Sequence, residues 1–149
     1  MQRRTFLTAA FGLPAFLAAP ALWARPGAVF NTGGIAVNGY DVVAYFTMGR
    51  AVEGSGAQAV KWGGATWYFS SAEHRTAFEM NPRSYSPRYG GYCAFAMAQG
   101  RVVETVPEAW TVAEGRLYLN ESTDVRNLWR QDMAGNIARA DSFWPGALG

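Results

Sequence analysis

Apolar and polar positions alternate most clearly over residues 58–69. Ala59, Val60, Lys61 and Trp62 lead into Gly63-Gly64, and Ala65, Thr66, Trp67, Tyr68 and Phe69 return. A turn-forming pair between two β-prone runs predicts a hairpin. The pattern repeats where Trp110, Thr111, Val112 and Ala113 meet Glu114-Gly115 and then Arg116, Leu117, Tyr118 and Leu119. Between the hairpins the period changes. Ser70 and Glu73 have capping-box spacing, and apolar Ala77 and Phe78 follow among Glu73, Arg75 and Glu79. This predicts a helix from Ala72 to Met80 that stops before Asn81-Pro82. Ser122 or Thr123 caps a further helix through Leu128 and Trp129, and a break at Gly135 separates it from a helix over 136–143. Upstream, residues 28–39 read as a short strand with tight turns at Gly33-Gly34 and Asn38-Gly39. Asp41 then stands as an N-cap before Val42, Val43, Ala44, Tyr45 and Phe46, a run that suits a short helix or a buried strand equally. Residues 50–57 are expected as a surface loop and 101–105 as a strand. Hairpins interleaved with short helices predict an α+β fold, a small single domain of antiparallel hairpins with helices packed on one face. Trp67, Phe69, Phe78, Trp110 and Leu117 are its expected common core.

The stretch 82–100 holds the only cysteine, Cys93, in an aromatic and glycine-rich run. Tyr85, Tyr89, Tyr92 and Phe95 surround Gly90-Gly91, a pair able to turn through positive φ. Beyond it, alanines predict a short helix over 92–99 that ends at Gly100. Cys93 and Met97 fall four residues apart and share a face of that helix. Both are also ordinary core residues.

The first 24 residues change the picture of charge and location. A basic start at Arg3-Arg4 precedes an uncharged apolar run from Ala9 to Ala21, the build of a secretory signal too short to span a bilayer comfortably. Arg3-Arg4 followed by Thr5, Phe6 and Leu7 resembles the twin-arginine export motif, which implies transport of a folded protein to a bacterial periplasm. Cleavage is expected after Ala21 or Ala24. The full chain has 13 basic and 11 acidic residues, so losing Arg3 and Arg4 leaves a neutral mature domain. With Lys61 the only lysine and no basic run after the signal, nucleic acid and anionic membrane surfaces are not expected partners. Roughly 125 remaining residues suit one domain. A single cysteine excludes an internal disulfide, leaving Cys93 buried, metal-bound or a reactive thiol.

Three segments together resemble the YHS-domain family, in its exported branch. They are Val37-Asn38-Gly39-Tyr40-Asp41-Val42-Val43-Ala44-Tyr45-Phe46, then Trp67-Tyr68-Phe69-Ser70-Ser71-Ala72-Glu73-His74-Arg75-Thr76-Ala77-Phe78, then Asn81-Pro82 through Tyr85 and Tyr89-Gly90-Gly91-Tyr92-Cys93. The resemblance covers nearly all of residues 25–149, with a C-terminal helical extension. It implies a small α+β module related to TRASH-type metal-binding domains that accompany copper and heavy-metal handling. In metal-binding relatives an early cysteine falls near Val43 or Ala44, and a pair four apart falls on Ser70 and His74. Here only His74 keeps a competent ligand, so a four-thiolate structural zinc site is absent.

Three functions follow. The first is a periplasmic metal-handling protein, with Cys93, His74 and Met97 as ligands to a copper ion, because thiolate, imidazole and thioether suit soft Cu(I). Its partner is the ion itself or a metal-handling protein. The second is a thiol enzyme or redox protein with Cys93 activated by His74, ranked lower because no oxyanion or resolving-cysteine motif accompanies it. The third is a non-catalytic binding module for a protein or apolar ligand, in which the tyrosine-rich turn is the recognition surface and Cys93 belongs to the core. Asp41 reads as a cap rather than a ligand.

Overall fold

A computed structural model describes residues 25–149, together with Gly12. The signal segment and both cleavage positions lie outside the described residues. The described residues form a four-stranded sheet, a separate hairpin and six short helices, an α+β single domain.

Strands β1 (Asn31–Thr32) and β2 (Ile35–Ala36) turn at Gly33-Gly34, both at positive φ. A tight turn over Val37–Gly39 delivers Asp41 to the start of α1 (Val42–Thr47), which settles that run as a helix. Strands β3 (Ser55–Trp62) and β4 (Ala65–Phe69) form the first hairpin, with Val60 opposite Trp67. β3 starts inside the segment expected as loop, because an irregular register between Ser55 and Ala59 carries its pairing on to Phe69. The sheet order is β1-β2-β4-β3; β2 pairs β4 in parallel and the other pairs are antiparallel.

Helix α2 (Ala72–Met80) has the expected bounds but a different cap. Ser71, not Ser70, accepts from the His74 N–H at 3.1 Å. Asn81 ends α2, and Pro82 opens the four-residue helix α3 (Pro82–Tyr85), where its missing N–H costs nothing. Helix α4 (Ala94–Met97) is shorter than its alanine content predicts, because Cys93 caps it and Gly100 closes it at φ 72°. Residues 101–105 make no strand: they run alongside, and Val103 O accepts from the Cys93 N–H. The second hairpin joins β5 (Trp110–Ala113) and β6 (Arg116–Leu119). Helix α5 (Thr123–Arg130) is capped by Ser122. The break before α6 (Met133–Phe143) falls at Asp132, not Gly135. Gly135 sits in the first turn of α6, where any Cβ would meet the Asp132 carboxylate that caps it.

Strand β6 divides the core. Leu117 and Leu119 face a cluster with Phe30, Val42, Val43, Trp67, Phe69 and Phe78, against which Trp110 packs. Tyr118, on the opposite face, joins Tyr89, Met97, Trp129 and Ala140. No described helix is long and apolar enough to cross a membrane.

Candidate functional site

Three places carry chemistry: a buried carboxylate that holds the histidine, the buried cysteine, and an open cleft walled by tryptophans.

Asp41 is fully buried. Its Oδ1 accepts from the Val43 and Ala44 N–H groups at 3.0 and 3.2 Å, which is the expected cap. Its Oδ2 accepts from the Ser70 N–H at 2.9 Å, the Ser70 hydroxyl at 2.6 Å and His74 Nδ1 at 2.6 Å. This role was not read from the sequence, and it explains why Ser70 cannot cap α2. One carboxylate therefore ties the first turn of α1 to the end of β4 and the first turn of α2. A carboxylate oxygen accepts, so Nδ1 carries a proton. Nε2 lies 3.1 Å from the hydroxyl of Thr47, which also reaches Val43 O at 3.3 Å. The positions where the YHS resemblance implies ligands, Val43 or Ala44 with Ser70 and His74, thus all contribute groups to the carboxylate of Asp41.

Thr47, His74 and Asp41 stand in the order of a nucleophile, a base and an orienting acid. Thr47 is nevertheless the last residue of α1, where the helix carbonyls present their negative end. Charge developing on an attacked carbonyl oxygen would be opposed there rather than stabilised. The arrangement works as a clasp.

Cys93 is also fully buried. Its thiol donates to Asn120 Oδ1 at 3.4 Å, its sulfur accepts from the Ala96 N–H at 3.5 Å, and Asn120 Oδ1 further accepts from the Phe95 N–H at 3.0 Å. Burial pushes the thiol pKa up, partly offset by the Ala96 N–H, so the neutral form is favoured and nucleophilic character falls. Met97 shares the turn of α4 with Cys93, as the spacing predicts: its N–H donates to Cys93 O at 2.9 Å. Its side chain is buried in the cluster of Tyr89, Tyr118 and Trp129. His74 is bonded into the Asp41 network and Cys93 into that of Asn120. Cys93 and Met97 therefore stand one backbone turn apart, and no hydrogen bond joins either to His74. Among the described residues no group of three or more His, Cys, Asp or Glu side chains is placed to hold a metal ion.

The third feature is a cleft of about 430 Å³ between the β3–β4 turn and the turn over Arg88–Gly91. Trp62 and Gly63 form one wall, and Pro87, Tyr89 and Gly90 another. Trp144 closes a side, and Arg83, Arg88 and Arg116 stand around it. The turn approaches the strand-forming N-terminal segment closely: Gly90 O accepts from the Phe30 N–H at 2.9 Å, and a Cβ at Gly90 would run into Ala28 O. Tyr89 is fixed behind the turn, its hydroxyl donating to Asp141 at 3.0 Å. Burial and that bond raise its pKa. Arg83 and Arg88 belong to the stretch singled out for Cys93, so the signal was present in the sequence; Arg116 comes from β6 and only folding adds it.

No family model matches the chain, and no curated protein or solved structure matches it either.

Proposed function

We propose that this chain is the precursor of a small exported protein of the YHS type, and that the mature domain is a non-catalytic binding module whose ligand seat is the Trp62–Trp144 cleft. The carrying observation is the division of the tyrosine-rich stretch: Arg88, Tyr89 and Gly90 wall an open cleft while Cys93 behind them is fully buried. A cleft of this size, with aromatic walls and a few polar groups, has the build of a small-ligand site. The buried, neutral thiol gives no support to a thiol enzyme.

Copper handling is the second reading, with the ion as cargo. It is favoured by His74 alone, whose Nδ1 is fixed by a carboxylate so that Nε2 is oriented, the arrangement that tunes metal-binding histidines. Its imidazole is partly open to solvent, at 17 % exposure. In that reading Cys93 and Met97 would exchange their present partners for the ion, or a metal-handling partner protein would supply the missing ligands.

One titration separates the two. Indole and imidazole resonances of the purified chain are followed while small aromatic compounds are added, and in parallel Cu(I) is added against a competing chelator. Binding at the cleft is expected to move the Trp62 and Trp144 signals and leave His74 unmoved. Stoichiometric Cu(I) retention that is lost in His74→Ala and Cys93→Ser, with silent indoles, overturns the first reading in favour of the second.

The periplasm is proposed as the location, supported by Arg3-Arg4 and the uncharged run after it. Replacing both arginines by lysine is expected to strand precursor in the cytoplasm; unchanged export overturns the twin-arginine assignment.

A further inference from the structure

We infer that the Trp62–Trp144 cleft selects planar organic acids, compounds with a flat unsaturated body and a carboxylate. This rests on the cleft being the ligand seat. The mature chain is neutral overall, yet Arg83, Arg88 and Arg116 all line this cleft and no carboxylate does. The adjoining hollow, which shares Trp62 and Gly63, is lined by Lys61, while the Asp141 carboxylate stands 3.4 Å from Arg88 and offsets that one arginine. The neighbouring cleft of about 580 Å³ shares Arg88 and Arg116 but adds Glu114 and Asp141, which balances its charge. Of these two clefts, the first therefore prefers an anion.

The three arginines are not equivalent. Arg88 is shared: its guanidinium is 3.4 Å from Asp141 and lies over the Tyr89 ring. Arg83 and Arg116 are exposed and make no side-chain hydrogen bond or ion pair among the described residues. A guanidinium offers a planar fork of N–H donors that matches a carboxylate in two parallel bonds. The indoles of Trp62 and Trp144 offer flat apolar walls to the body of the same ligand. The walls are also held rigid. Trp62 packs against Trp67 and Phe78, and Trp144 against Tyr89 and Tyr92, so little side-chain freedom remains to be lost on binding.

The test titrates the purified full chain with 2-naphthoate, its neutral analogue 2-naphthamide, the cation 2-naphthylmethylamine and inorganic phosphate, read by the Trp62 and Trp144 indole signals and by calorimetry. The acid is expected to bind about tenfold or more tightly than the amide, since a hydrogen bond to a charged group is worth that much. The amine and phosphate should bind more weakly still. The double variant Arg83→Gln/Arg116→Gln should lose about tenfold or more of the naphthoate affinity with an unchanged melting temperature, because neither side chain supports the fold. Equal affinity for acid and amide, or a double variant that binds like wild type, overturns the acid preference while leaving the cleft a binding seat. Phosphate binding as tightly as naphthoate overturns the role of the aromatic walls. Silence of both indoles toward every aromatic probe overturns the seat and the inference together.

Discussion

Asp41→Ala is expected to destabilise the domain by about 3–5 kcal/mol, the combined cost of losing the hydrogen bonds that converge on one buried carboxylate. Losing the cap alone would cost about 0.5–2 kcal/mol, since two N–H groups of the first turn of α1 would lose their acceptor. The larger part comes from Oδ2, because the Ser70 N–H, the Ser70 hydroxyl and His74 Nδ1 would all be stranded at once. Asp41→Ser separates these contributions. A serine keeps a capping oxygen for α1 but is too short to reach both Ser70 and His74. In urea unfolding Asp41→Ser should therefore fall well below wild type, closer to Asp41→Ala than a cap effect allows. A loss within about 1 kcal/mol for Asp41→Ala would mean that water replaces the carboxylate and that the clasp is incidental. Domains of this size are held by about 5–15 kcal/mol, so the expected loss is a large fraction of the total.

That clasp marks where sequence reading stopped. The cap at Asp41 was legible because it is local: an acidic residue directly before an apolar run, bonding two and three residues ahead. Its second oxygen bonds Ser70 and His74, 29 and 33 residues away, and nothing in the spacing encodes that meeting. The same distinction explains the elements. Gly63-Gly64 and Glu114-Gly115 announce both hairpins locally, and Asn81-Pro82 marks the end of α2. Ser71 caps α2 one position after the Ser70 that the spacing favours, because Ser70 is taken by a distant carboxylate, and the break before α6 falls at Asp132, three positions before Gly135, which is a close-approach residue instead. Cys93 and Met97 share a helix as four-residue spacing demands, whereas a meeting of Cys93 with His74 depends on tertiary placement. Those two side chains are bonded into different networks. The cleft was the least legible feature. Its arginines sit at 83, 88 and 116, and only the packing of β6 beside the Arg88–Gly91 turn gathers them.

Phe78→Ala is the second large effect, expected at about 3–5 kcal/mol because a fully buried ring would leave a cavity. Phe78 is the one α2 side chain that is buried, and its ring centroid lies 5.1 Å from that of Trp67, 5.0 Å from Phe69 and 5.8 Å from Trp62. Alanine there would detach α2 from both strands of the first hairpin. Phe78→Leu, which conserves most of the volume, should cost less than about 1.5 kcal/mol and serves as the control for simple repacking. Trp62 is held edge-on by the Phe78 ring on one side and faces the cleft on the other. The alanine variant should therefore also loosen the cleft wall, with weaker near-ultraviolet tryptophan dichroism and poorer naphthoate binding at temperatures where it remains folded. A stability loss within about 0.5 kcal/mol would place the ring outside the core. Full loss with unchanged naphthoate affinity would show that Trp62 keeps its position without the Phe78 ring, and that the wall is fixed by its tilted contact with Trp67 and by the Trp67 Nε1–H bond to Trp62 O at 2.9 Å.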